Sequence, residues 1–301
     1  MEFHLFLPQM RLTPEALKAR ALAAEAAGFT GLAVMDHLFP PGAPDQPMYE
    51  ALTTVTWLAA FTERLRLGHL VLCDSFRHPA VLARQAVTLD HLSGGRFELG
   101  IGSGSTPGEL ASYGFPALSA AQRVERLGET LELLGRFWSG ETVDHEGEFF
   151  RVQGARQLPV PLHRIPIVVG GTGSRTMALV AEYADWWNVP VHQTDRLGRV
   201  RSAAGSARVS AQLLVTLVGD ESTREDVTAL ARRRFGRMSQ GGHLVGRPEE
   251  LLPRLAELQD GGVERIYTWF TDFATPDTLT TFGREVVTAL GHESAGGGTQ
   301  E

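Results

Sequence analysis

The residues of this chain best able to do chemistry fall into four short groups. Asp36-His37 sets a carboxylate beside an imidazole, a pair suited to moving a proton near neutral pH. Gly100, Gly102 and Gly104 place glycine at alternate positions around Ser103. Removing every other Cβ lets backbone N–H groups come close to a phosphate or a flat ring. Gly170-Gly171-Thr172-Gly173-Ser174 opens a helical pattern with Arg175 adjacent. Free amides, two hydroxyls and the helix dipole favour an anion there. The sole cysteine, Cys73, closes the run Leu70-Val71-Leu72-Cys73. The glycine run lacks the glycine at 105 that a dinucleotide fingerprint needs, has no Gly-Lys-Ser/Thr of a P-loop, and is no nucleophile elbow. Each group taken singly has a structural explanation: Asp36 as a turn cap, Cys73 as a small apolar residue, 170–173 as a turn with positive φ. His69, His78 and His91 lack metal-ligand spacing, so no metal site is expected, and Trp186 and Trp187 fit packing better than a binding cage.

The elements that must position these groups alternate. Short apolar runs at 3–7, 31–35, 65–72, 96–101, 165–169, 186–189, 211–218 and 265–269 predict eight strands. Between them lie helical patterns, beginning with Thr13 as a cap and Pro14 in the first turn, Leu17, Ala21, Ala24 and Ala27 on one face, and Gly28 as the stop. Further helices are predicted at 49–62, 80–91, 119–137, 174–184, 222–236, 248–260 and 277–290. Eight such units in 301 residues predict an α/β (β/α)8 TIM barrel, with a doubly wound open sheet as the alternative. Residues 139–165 break the rhythm with glycines and prolines and are read as an inserted hairpin within a single domain, 1–290. The tail 291–301 is read as disordered. In a barrel the loops after the strands carry function, and all four groups fall there.

Composition narrows the partners. A formal net charge of -7 without a Lys/Arg stripe argues against nucleic acid, and 43% hydrophobic residues suffice for a large core. One cysteine excludes an intrachain disulfide and fits a reducing compartment, the cytoplasm. No signal peptide or spanning segment is predicted, and hence no membrane partner. Lys18 is the only lysine, so phosphate recognition must fall to arginine.

Several segments together carry a resemblance: Gly28-Phe29 through Met35-Asp36-His37, Glu63 to Gly68, Phe76-Arg77-His78-Pro79 to Ala83, Thr88 to Gly100 with Leu92-Ser93-Gly94-Gly95-Arg96, and Val168-Val169-Gly170-Gly171. In these the chain resembles the bacterial luciferase-like monooxygenase superfamily and, within it, the F420-dependent oxidoreductases. The likeness covers most of residues 1–190 and is loose in the C-terminal third. It implies a TIM barrel holding a flavin or deazaflavin at the strand ends, with Asp36 and His37 facing the ring and the histidine moving a proton. It also implies a bulge with a non-prolyl cis peptide at Leu70-Val71 backing the ring, Cys73 where many members have threonine, Ser103 and Gly104 against the cofactor, and Gly170, Gly171, Thr172, Gly173 and Ser174 at its phosphate. The activity implied is hydride transfer between coenzyme F420 and a small organic substrate (C=C, C=N or alcohol/carbonyl). The alternatives are an FMN-dependent monooxygenase using dioxygen, and a flavin-binding protein without turnover. Ser105 stands where many F420-dependent sugar-phosphate dehydrogenases carry an acid, which argues against that substrate class, and the Gly-Trp of many relatives is missing. Relatives are often homodimers, and the same is expected here.

Overall fold

The structure is a computed structural model that describes residues 1–236 and 242–291. Strand β1 (Glu2–Phe6) leads into helix α1 (Pro14–Ala26), where Thr13 accepts the Ala16 N–H at 3.2 Å and Pro14 opens the first turn. There follow β2 (Gly31–Val34), α2 (Ala51–Ala59), β3 (Arg66–His69), β4 (Leu72–Cys73), α3 (Pro79–Leu92), β5 (Leu99–Gly102), α4 (Pro107–Ser112) and α5 (Ala120–Trp138). An antiparallel hairpin, β6 (Val143–Glu146) and β7 (Arg151–Ala155), precedes β8 (Ile167–Gly170), α6 (Ser174–Tyr183) and β9 (Trp186–Val189). The chain continues through α7 (Leu197–Val200), β10 (Arg208–Leu217), α8 (Arg224–Phe235), β11 (His243–Gly246), α9 (Pro248–Asp260), β12 (Arg265–Phe270) and α10 (Pro276–Phe282).

The large sheet is parallel, in the order β3-β2-β1-β12-β10-β9-β8-β5-β4. Because β3 and β4 are two halves of the third strand, this path returns on itself as a nearly closed eight-stranded barrel. The Leu67↔Phe97 bridge joins β3 to the approach of β5 at the seam. The strands read as continuous apolar runs because each is buried on both faces. Leu5, Leu32, Leu67, Leu99, Val169 and Ile266 belong to the larger core cluster, which also takes in the inner faces of the helices. A second cluster, containing Phe6, Ala33, Leu70, Val168, Trp186, Tyr267 and Trp269, belongs to the same strands.

Several elements differ from the sequence expectation, among them the short helix α4, for which no helix was predicted. The predicted third strand, 65–72, splits at a cis peptide between Leu70 and Val71, the position at which the resemblance placed one. The fourth strand is regular only from Leu99, since residues 96–98 pair through a single bridge. An extra strand, β11, pairs with the C-terminal half of β10, whose N-terminal half pairs with β9 on the same edge. The predicted helix 277–290 changes to a π turn over Gly283–Val287. The hairpin was expected and is present. Its turn is tied to α5 by Glu129, whose carboxylate accepts the amides of Glu148, Phe149 and Phe150. Residues 292–301, nearly all of the predicted disordered tail, lie outside the described residues. Among the described residues no helix is long and apolar enough to cross a membrane.

At the N-terminal ends of the strands the barrel is stoppered by charge. Arg265 is 1% exposed and donates to Glu98 at 2.7 and 3.2 Å and to Glu2 at 2.8 Å. Arg66 also pairs with Glu98, and Arg208 bridges Glu2 and Glu264 at 3.3 and 2.7 Å. The guanidinium groups of Arg265 and Arg208 lie 3.7 and 3.9 Å from the Trp186 ring centroid. On the flank, the ammonium of Lys18 sits 3.8 Å from the ring centroid of Phe61.

Candidate active site

The opposite end of the barrel is open. The C-terminal ends of β2, β4, β5, β8 and β9, with the loops that follow, enclose a cavity of about 430 Å³. Every candidate residue read from the sequence lines it except Ser174: Asp36, His37, Leu70, Val71, Cys73, Ser103, Gly104, Gly170, Gly171, Thr172 and Gly173. Ser174 is the exposed first residue of α6.

Asp36, although at the cavity wall, has no free oxygen. Its Oδ2 accepts the Cys73 N–H at 2.7 Å and Arg77 Nη1 at 2.5 Å, while Oδ1 accepts Arg77 Nη2 at 2.9 Å. Such a bidentate, charge-assisted pair fixes geometry as well as charge. It ties the end of β2 to β4. Arg77 reaches on to Glu50 at 2.9 Å. Arg126 of α5 holds the next turn, pairing with Asp74 and donating to the carbonyl of Arg77 at 2.9 Å. These two arginines, neither of them given a role in the sequence reading, brace the third strand where it bulges.

His37 is different. Its Nδ1 lies 2.8 Å from Oε2 of Glu109, and the imidazole is one-fifth exposed toward the cavity, with no partner at Nε2 among the described residues. Glu109, on α4, is 2% exposed and escaped the sequence reading because 105–118 read as a proline-bearing loop. A cap-like Thr106-Pro107 followed by an acid two residues on was the available signal.

Cys73 is buried, and burial above all pushes its thiol up to about 11, so at neutral pH it is a small apolar wall residue rather than a nucleophile. It also explains one glycine. Gly104 has φ +83°, and a Cβ there would come within 2.8 Å of Cys73 Sγ. Gly100 is required by the bulge, since a Cβ would collide with the carbonyl oxygen of His69. The alternate glycines therefore admit the bulged third strand first, and Gly102 and Gly104 line the cavity as a result.

The turn after β8 supplies donors. Gly173 caps α6 without any side-chain hydrogen bond, which leaves first-turn amides free. Arg175 turns away toward Glu125 at 3.5 Å. Arg196, unnoticed in the sequence, takes the place expected of it, at the cavity and 3.5 Å from Thr172 Oγ1. Thr172 also bonds Gln193, whose amide meets His192 at 3.0 Å. An apolar bulge on one side, glycine-lined walls, and uncapped amides with an arginine on another suit a flat ring carrying a phosphorylated tail. Among the described residues no cluster of His, Cys, Asp and Glu could hold a metal ion.

Comparison with known proteins gives the family and the fold. The family model for luciferase-like monooxygenases matches residues 1–201. An F420-dependent glucose-6-phosphate dehydrogenase of Microbacterium testaceum is 32% identical over 173 residues, 57% of this chain and 51% of that protein. The chain thus spans about half the length of the curated relatives it matches first. In fold it is similar to an F420-dependent secondary alcohol dehydrogenase solved with an F420-acetone adduct (TM-score 0.82, 16% identity, 95% of this chain and 98% of that one). It is also similar to a riboflavin lyase solved with modified FMN and riboflavin (TM-score 0.81, 16% identity, 96% and 91% covered).

Proposed function

This chain belongs to the luciferase-like monooxygenase family, and we propose that within it the protein is an F420-dependent oxidoreductase. Its substrate would be a small organic molecule with a C=C, C=N or alcohol/carbonyl group. When bound, the deazaflavin supplies the hydride chemistry, and the protein supplies binding, orientation and proton handling. Leu70 and Val71 would back the ring, with Cys73, Ser103 and Gly104 at its edges. Gly170, Gly171, Thr172 and Gly173 would take its phosphate, with Arg196 in the role expected of an arginine. His37 would move the proton that accompanies the hydride, through Nε2 to a substrate oxygen, nitrogen or carbon. Asp36 acts indirectly in this account: with Arg77 it fixes the third strand on which the ring rests.

The observation that carries the reading is the His37 imidazole, held at one nitrogen and open at the other, at the wall of a glycine-lined cavity. The F420-dependent relative at 32% identity favours the deazaflavin. The riboflavin lyase fold keeps an FMN-dependent reaction as the second reading. Fluorescence titration of the purified protein with F420 and, in parallel, with FMN tests the choice. Tight F420 binding with weak FMN binding is expected. The reverse preference would replace hydride transfer with the oxygen-using reaction, and binding of neither would remove the cofactor assignment. The same account carries a homodimer, for which sedimentation is the check.

A further inference from the structure

Two loops meet over His37. The loop after β5 carries α4, and the loop after β2 carries His37, Leu38 and Phe39. Glu109 of α4 uses both carboxylate oxygens on the second loop: Oε1 accepts the N–H of Leu38 and, at 3.4 Å, that of Phe39, while Oε2 faces His37 Nδ1 at 2.8 Å. Just beyond the helix, the Tyr113 hydroxyl donates to the Leu38 carbonyl at 3.3 Å. The Tyr113 and Phe39 rings stack, with centroids 6.3 Å apart and planes inclined by 25°. Five contacts thus clamp three consecutive residues to α4.

The clamp has a chemical consequence. Two backbone N–H groups can only donate, so Oε1 must accept from them. An ionised carboxylate is acceptor-only at its second oxygen as well. The imidazole nitrogen at 2.8 Å must then be the one that bears hydrogen. We propose that Glu109 is a positioning residue that holds His37 as the Nδ1–H tautomer, so that Nε2 is the nitrogen that takes a proton from, or returns one to, the substrate. The carboxylate then also steadies the imidazolium formed when Nε2 is protonated, in the way a buried acid behind a catalytic histidine does. The catalytic meaning rests on the function proposed above, whereas the tautomer is a property of the protein without cofactor.

The experiment uses both. Long-range proton–nitrogen correlation spectra of the cofactor-free protein, with ¹⁵N-labelled histidine and His37 identified by a His37→Gln variant, report which ring nitrogen carries hydrogen in the neutral imidazole. Hydrogen on Nδ1 is expected. In Glu109→Gln the Leu38 and Phe39 amides keep the single carboxamide oxygen, which turns the NH₂ group toward Nδ1. That nitrogen must now accept, and His37 should move to the Nε2–H form. Turnover should fall on the order of 10²- to 10⁴-fold in kcat, as when an orienting acid is replaced by its amide, with KM little changed. A wild-type imidazole bearing hydrogen on Nε2, or a Glu109→Gln spectrum that keeps hydrogen on Nδ1, would overturn the proposal. Should Glu109→Gln fail to fold, the wild-type spectrum decides alone. The expected tautomers without turnover on F420 would sink the proposed function and leave the role of Glu109 in setting the tautomer standing.

Discussion

At the N-terminal end of the barrel, Arg265, Glu98 and Glu2 are buried or half-buried and each is answered by an opposite charge, with Trp186 stacked beneath two of the arginines. At the C-terminal end the same residue types occur, and there Nε2 of His37, with no partner among the described residues, opens to the cavity. Asp36 and Arg77 show that the open end can also satisfy a pair completely when the task is to hold backbone. The comparison teaches that charge alone does not mark a site in this fold. An unanswered group beside a cavity does, because there solvent or a ligand can reach it and supply the missing partner.

The comparison breaks most visibly at the closed end. Arg265→Leu leaves Glu98 with Arg66 alone and should lower stability by about 3 to 5 kcal/mol in denaturant titrations. Cofactor affinity of the remaining folded protein should be unchanged. Loss of affinity without loss of stability would mean that the stopper belongs to the site. At the open end the pattern reverses: His37→Ala should reduce turnover on the order of 10²- to 10⁴-fold while shifting stability by about 1 kcal/mol. Full turnover with normal cofactor binding would remove His37 from the chemistry. The gentlest test is acid. His69 is 1% exposed, and burial first, aided by Arg77 and opposed by Asp36 and Glu50, holds its pKa down at about 4. His4 is shifted the same way by burial, Arg265 and Arg66. Between pH 6.5 and about 4 the unfolded chain binds protons that the folded chain refuses, so stability is complete above this window and falls as pH drops through it. The His69 share is about 3 kcal/mol at most. Urea midpoints at pH 7.5 and 4.5 measure the loss, and a His69→Gln variant should flatten it. An unchanged slope would place the acid sensitivity elsewhere.

Much of this was legible in the sequence, and unevenly so. The eight strands were visible because doubly buried strands are short apolar runs bounded by turn residues, and the inserted hairpin because glycine and proline interrupt the rhythm. Sites that depend on neighbours in sequence, such as Asp36-His37 or the run from Gly170 to Gly173, were visible for the same reason. Contacts across the barrel mouth were not. Arg77 reaches Asp36 over 41 positions and Glu109 reaches His37 over 72, distances at which no local pattern survives. The Leu70–Val71 bulge has no signature in those residue types and was placed by resemblance alone. Arg175 points to Glu125 while Arg196 lines the cavity, because a helix N-terminus fixes where its amides point, not where an exposed side chain one residue later will go. Strand β11 was overlooked because four residues, half-buried for the most part, make too short a run to register.

Lys18, fixed on α1 with its ammonium against Phe61, gives the molecule a single side-chain amine. Amine-directed coupling to a bead or sensor surface therefore has one side-chain point of attachment, on the flank of the barrel rather than at either end. Molecules immobilised through it would share one orientation with the strand-end cavity unobstructed.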